Sequence, residues 1–164
     1  MRRVLCQTPR ALLKKTSEPT ARGMGRRRAR LQRGVTEDGT VFTDAERRYL
    51  SDFRLGRIAT VGRDGTPHVA PVGWSYDPEH DVIEVGGRNF ARSKKYHDVE
   101  RSGRAAIVID DLASVDPWRP RGIEVRGSAE VVDDPPRIRI HPQRIVSWGL
   151  DGEDFFARDA RTVG

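Results

Sequence analysis

Ile123-Glu124-Val125-Arg126-Gly127-Ser128-Ala129-Glu130-Val131 is the clearest periodic stretch in the chain. Apolar or small residues at 123, 125, 127, 129 and 131 alternate with charged or hydroxyl residues at 124, 126, 128 and 130. Successive side chains of a strand point to opposite faces, so this period of two describes a β-strand with one buried and one wet face. Just upstream, Ala105-Ala106-Ile107-Val108-Ile109 is a compact apolar run of strand length, which suits a central strand. Between the two, Asp110 to Pro120 reads as an irregular loop carrying Trp118. Downstream, Arg137-Ile138-Arg139-Ile140 and Arg144-Ile145-Val146-Ser147-Trp148 predict one or two further short strands around His141-Pro142.

Further toward the N-terminus the same pattern recurs. Ile58-Ala59-Thr60-Val61 is short and β-rich, and the turn residues Gly62 to Pro67 lead into a second extended run, His68 to Tyr76, giving a hairpin. Asp77-Pro78-Glu79-His80-Asp81 makes another turn before Val82-Ile83-Glu84-Val85, a third strand ending at Gly86-Gly87. Two helices interrupt the strands. Thr43-Asp44-Ala45-Glu46 fits a capping box, followed by Ala45, Tyr49, Leu50 and Phe53 at helical spacing, which predicts a helix over 44–54 with Gly56 as its stop. Arg88 to Glu100 predicts a second, closed by Ser102-Gly103. The fold class is mainly β, about six antiparallel strands with two short helices, and closure into a barrel removes the exposed sheet edges such a chain would otherwise carry.

Of the 30 basic residues, 11 precede Thr36, together with one of the 24 acidic ones. The remaining 129 residues therefore hold 19 basic and 23 acidic groups, a net of −4. Residues 1–35 read as a disordered basic extension, too charged and too poor in large apolar residues to fold, and the abrupt change before Thr36 fits a true start near Met24 or Val35. No aromatic residue precedes Phe42 to stack on bases, which argues against a nucleic-acid partner despite the overall +6. Residues 36–150 form the domain, and 151–164 a C-terminal tail. The single cysteine, Cys6, permits no internal disulfide, and no apolar run approaches bilayer length, so a cytoplasmic protein without a membrane partner is expected.

His68, His80, His97 and His141 lack metal-ligand spacing, so no metal site is expected, and no nucleophile elbow, P-loop or dinucleotide fingerprint is present. What remains is Gly86-Gly87-Arg88-Asn89-Phe90-Ala91-Arg92-Ser93-Lys94-Lys95-Tyr96. A strand end, a glycine pair, then Asn89, Ser93, Lys94 and Lys95 at a helix start offer amides, a hydroxyl and two ammonium groups to a phosphate. The same residues equally describe a solvated helix face with Ser93 as its cap. Pro71-Val72-Gly73-Trp74 places glycine where backbone could approach a planar ring, or else is an edge proline beside a core Trp.

Together, Arg57 to Pro67, Gly86 to Tyr96, Asp116-Pro117-Trp118-Arg119 with Arg121 to Gly127, and Ser147-Trp148-Gly149-Leu150 resemble the F420-dependent branch of the pyridoxamine 5′-phosphate oxidase-like superfamily, over about Phe42 to Leu150. The resemblance implies an FMN-binding-like split β-barrel homodimer, with coenzyme F420 at the subunit interface and hydride passing between the deazaflavin and a small organic substrate. It places phosphate binding on Ser93, Lys94 and Lys95, a polar contact on Asn89, the ring-flanking backbone on Pro71 and Val72, and the pocket-closing aromatic on Trp148; Gly86 and Gly87 complete the expected set. FMN is the alternative cofactor, but the Arg and Lys that FMN-using relatives carry on the second strand fall near Ala70 and Ser75. The segment Val132 to Arg137 is shorter than the branch's usual connection, which implies a trimmed pocket wall. A non-catalytic flavin or haem carrier on the same barrel is the remaining reading.

Overall fold

The computed structural model describes Thr36, residues 39–150 and residues 157–164, so the basic extension lies outside the described residues. Helix α1 (Asp44–Asp52) opens on the capping box: the Thr43 hydroxyl accepts from the Glu46 amide, and the Glu46 carboxylate accepts from the Thr43 amide at 2.9 Å. It stops at Asp52, because Phe53 is already extended. Gly56, the expected stop, instead lies inside β1 (Leu55–Val61). A Cβ there would sit 3.0 Å from Ile107 Cδ1 and 3.1 Å from Trp74 Cδ1, so core packing, not helix termination, accounts for the glycine.

The chain continues through β2 (Pro67–Asp77), β3 (Val82–Gly86), a 3-10 turn (Phe90–Arg92), α2 (Lys94–Ser102), β4 (Arg104–Ser114), β5 (Arg119–Asp133), β6 (Pro136–Trp148) and β7 (Arg158–Thr162). All strand pairs are antiparallel, in the order β3-β2-β1-β4-β5-β6-β7. A further pairing of β3 with β6, Ile83 opposite Ile140 and Gly86 opposite Arg137, closes the first six strands into a barrel.

The period of two read at 123–131 shows how the barrel is filled. Ile58, Ile107, Val125 and Ile145 face one another across β1, β4, β5 and β6 in one inward row, each fully buried. Val72, Ile83, Val85, Ile109, Ile123, Ile138 and Ile140 extend the same core. Burying an Ile or Val side chain contributes about 1.5–3 kcal/mol, so these inward rows supply most of the drive to close the barrel.

Three stretches differ from the sequence reading. Asp110 to Pro120 is a continuation of β4 and β5 joined by a short turn, not a loop; charges on both of its faces are paired, Arg57 with Asp110 outside and Arg121 with Asp111 beneath α1, which hides the apolar alternation a strand normally shows. Residues 137–148 form one strand, bent where Gly127 meets His141 and Pro142 at a bulge. The second helix begins at Lys94 rather than Arg88, since Asn89 adopts a left-handed conformation (φ 53°, ψ 34°) that starts the 3-10 turn. Beyond them, Arg158–Thr162, within the stretch read as a tail, pairs with β6 as β7.

Candidate functional site

β3 ends at Gly86 beside β6, and this pairing brings Arg137 next to the glycine pair. A cleft of about 270 Å³ opens here, bounded by Ser75 of β2, Glu84, Gly86 and Gly87 of β3 and its exit, and Pro135, Pro136 and Arg137 at the start of β6. The short connection that the sequence suggested would trim the wall thus still supplies two prolines to it. Glu84 fixes this side of the cleft by accepting from Arg137 Nε at 2.9 Å and Arg139 Nε at 2.8 Å. Trp74 also borders the cleft; it is 6% exposed, and its indole Nε1 is buried without a hydrogen-bond partner among the described residues.

From Gly87 the chain turns through Asn89 into Phe90, which is buried. A Cβ on Gly87 would lie 3.6 Å from the Phe90 ring, and the Lys95 ammonium stands 5.1 Å from that ring's centroid. Phe90 therefore links the glycine pair to Lys95. Lys95 has no carboxylate partner among the described residues, whereas a cation over an aromatic face keeps its charge available to an incoming anion.

Lys94 meets different neighbours. Its Nζ lies 3.1 and 3.0 Å from the two Asp98 carboxylate oxygens and against Gly62 of the β1–β2 turn. Asp98 also accepts from the Thr60 hydroxyl at 2.9 Å, with Arg101 at 3.8 Å. Burial alone would raise the Asp98 pKa, but the hydrogen bonds from Lys94 and Thr60 and the nearby cationic charges outweigh it and hold the group below the usual carboxylate range. His68 Nδ1, 4.0 Å from Asp98, is buried with no hydrogen-bond partner among the described residues.

Ser93 is the N-cap of α2, its hydroxyl accepting from the Tyr96 amide at 3.4 Å. A hydroxyl that accepts in this way still has its own hydrogen to donate, so capping and anion binding are compatible. On β2, Pro71 is exposed while Val72 is 6% exposed and points into the core, leaving only the Val72 backbone for a ligand. A Cβ on Gly73 would meet nothing within 4 Å, so the outward face of β2 is open there.

Trp148 lies elsewhere. It follows Arg137 by eleven residues along β6, a path on the order of 35 Å at strand rise. There it borders a separate groove of about 160 Å³ with Gly149, Leu150 and residues 157–159. The structure thus places Gly86 and Gly87 in the cleft wall and Lys95 over the Phe90 ring beside them, uses Asn89 and Ser93 as the backbone turn and helix cap between, turns Lys94 toward Asp98, and sets Trp148 at the other end of the strand.

Sequence reasoning missed Trp74, Glu84, Arg137 and the two prolines, because a pairing between β3 and β6, more than fifty residues apart, creates their meeting. It also missed a larger cleft of about 460 Å³ on the outer face of β1, β4, β5 and β6, which contains none of the candidate site residues read from the sequence.

An antiparallel six-stranded barrel with a helix inserted between its third and fourth strands defines the class, a split β-barrel protein. Within that class the chain belongs to the pyridoxamine 5′-phosphate oxidase family, whose model matches residues 42–158. It is 39% identical over 132 residues to the 5a,11a-dehydrotetracycline/5a,11a-dehydrooxytetracycline reductase of Streptomyces rimosus, covering 74% of this chain and 93% of that protein. It is 31% identical over 103 residues to an F420H(2)-dependent biliverdin reductase of Mycobacterium tuberculosis, covering 61% of this chain and 66% of that one. A solved F420 reductase superposes with a TM-score of 0.52 at 21% identity, over 63% of this chain and 98% of that chain, and shares its fold. The resemblance read from the four sequence segments is borne out at the level of family. Among the described residues no helix is long and apolar enough to cross a membrane.

Proposed function

We propose that this protein is an F420-dependent oxidoreductase that transfers hydride between the deazaflavin coenzyme and a small organic substrate, acting as a homodimer. The observation that carries the reading is the Gly86-Gly87 cleft joined through Phe90 to an ammonium group without a carboxylate partner, Lys95. A planar ring with an anionic tail fits these residues: the open backbone of Pro71 to Gly73 would flank the ring, and Lys95 and the Ser93 hydroxyl would hold the tail. When bound, the coenzyme supplies the hydride from its own ring carbon, so the protein's part is to align donor and acceptor and exclude water. Ser75, near the position where the resemblance puts a Lys in FMN-using relatives, borders the same cleft with a short neutral hydroxyl, which favours F420 over FMN.

The separation of Trp148 from Gly86 supports the dimer. One protomer does not bring both to a single pocket, but a second copy in the opposite orientation would present its Trp148 to the first copy's cleft.

The test is reoxidation of F420H2 by the purified protein with dehydrotetracycline or biliverdin as acceptor. Protein-dependent reoxidation with either, reduced in Lys95→Ala, is the expected result. A signal that decays no faster than without protein, for both acceptors, would contradict the reductase reading.

A further inference from the structure

The larger cleft has an unbalanced charge pattern, with Arg104, Arg126 and Arg144 in its lining and no carboxylate among them. On the outer face, Val69, Ala59, Ala106, Arg126 and Arg144 form one transverse row, each opposite the next on neighbouring strands. The row passes from apolar to cationic. Arg126 and Arg144 face each other directly, an arrangement of like charges that destabilises a sheet unless something neutral or negative intervenes. Among the described residues only Arg126 of the two has a carboxylate partner: it forms a fork with Glu124, two residues back on its own strand, at 2.8 Å from each nitrogen. Arg144 and Arg104, which borders the same cleft, have no carboxylate partner among the described residues. Beneath them the floor is Ala59, Ala106 and Gly127, with Val61 and Pro67 at the apolar end.

We propose that this cleft binds a small organic anion separate from the cofactor. Its acidic head lies between Arg104, Arg126 and Arg144, and its flat apolar body lies on Ala59 and Ala106 against Val61 and Pro67. Guanidinium forks match the two oxygens of a carboxylate or phosphate, and the small floor leaves depth for a ring. The volume of about 460 Å³ falls in the range of pockets that take drug-sized organic molecules. An anion bridging Arg126 and Arg144 offsets the repulsion between the two facing guanidinium groups.

The experiment is calorimetric titration of the full-length protein with 2-naphthoate and with its neutral isostere, 2-naphthamide. The wild type should bind the naphthoate at least tenfold more tightly than the amide. The double variant Arg104→Ala/Arg144→Ala should lose at least tenfold in naphthoate affinity, with amide binding, oligomeric state and F420 affinity unchanged. Absence of naphthoate binding, equal affinity for the two probes, or an unchanged affinity in the double variant would overturn the site. A matching loss of F420 affinity in that variant would assign the arginines to the cofactor's own anionic tail and overturn the separate ligand. The naphthoate arms involve no cofactor, so they stand or fall independently of the F420 reading.

Discussion

Replacing Arg161 by Met should destabilise the barrel strongly at neutral pH and much less in acid. Arg161, on β7, reaches across to the first helix and donates to both oxygens of Glu46, Nη1 to Oε1 at 2.9 Å, and also to the Val41 carbonyl. Glu46 is 1% exposed and the Arg161 side chain 12%, so the pair is screened from water. Burial would raise the Glu46 pKa, but the Arg161 hydrogen bond, the Thr43 amide and the Arg161 charge together bring it below its ordinary value of 4.5. In the wild type the pair therefore stabilises above about pH 4.5, and that contribution is lost as pH falls through the lower folded value. In Arg161→Met only the Thr43 amide and Ser147 hydrogen bonds still oppose the burial effect, the largest of these influences, so the folded pKa moves up past the unfolded one. The variant then carries an uncompensated buried charge at pH 7 that protonation removes in acid. Breaking a buried pair from one side costs about 3–5 kcal/mol, which for a domain of this size lowers the melting temperature on the order of 10–20 °C. Melting curves by circular dichroism at pH 7 and pH 4 measure both numbers. A loss at pH 7 of under about 2 °C, or one equally large at pH 4, would refute the reasoning.

The same geometry makes other outcomes specific. Lys95→Ala should weaken F420 binding by about 10- to 100-fold, the value of one charged hydrogen bond, while the melting temperature stays at the wild-type value; calorimetry and a thermal scan check the pair of results. Gly127→Ala should lower stability by about 3 kcal/mol, the upper end of overpacking costs, because its Cβ would lie 1.7 Å from the His141 carbonyl oxygen; urea unfolding reads the loss. On the dimer reading, mixing Lys95→Ala with Trp148→Ala protomers should regenerate one intact site per heterodimer, so the mixture should reoxidise F420H2 faster than either variant alone. Equal rates in mixture and parents would place both residues in one protomer's site or neither.

Local features of the fold were legible in the sequence because local chemistry determines them. The Thr43–Glu46 capping box and the Ser102-Gly103 helix end, with Gly103 at φ 64°, depend on residues no more than a few positions apart. The strands at 123–131 and 105–109 were equally clear, since their inward faces are uniformly apolar. β7 was not, because Arg158-Asp159-Ala160-Arg161-Thr162 has no apolar face and is held by pairing to β6 and by the Glu46 ion pair. The β4–β5 hairpin was hidden for a related reason: charged pairs occupy positions where apolar residues would have marked a strand. At the candidate site, the glycine pair, Ser93 and Lys95 were visible as a contiguous motif, while the cleft wall depends on the β3–β6 closure. The diversion of Lys94 to Asp98 obeys an i, i+4 spacing that the sequence did contain. The resemblance assigns both lysines to one anion, and that assignment obscures the spacing.

The most direct measurement of the central claim is a fluorescence titration of the purified protein with F420 and, separately, with FMN. The account predicts saturable F420 binding, with FMN at least tenfold weaker because Ser75 offers its phosphate no charge. Tighter binding of FMN, or no binding of F420, would contradict it.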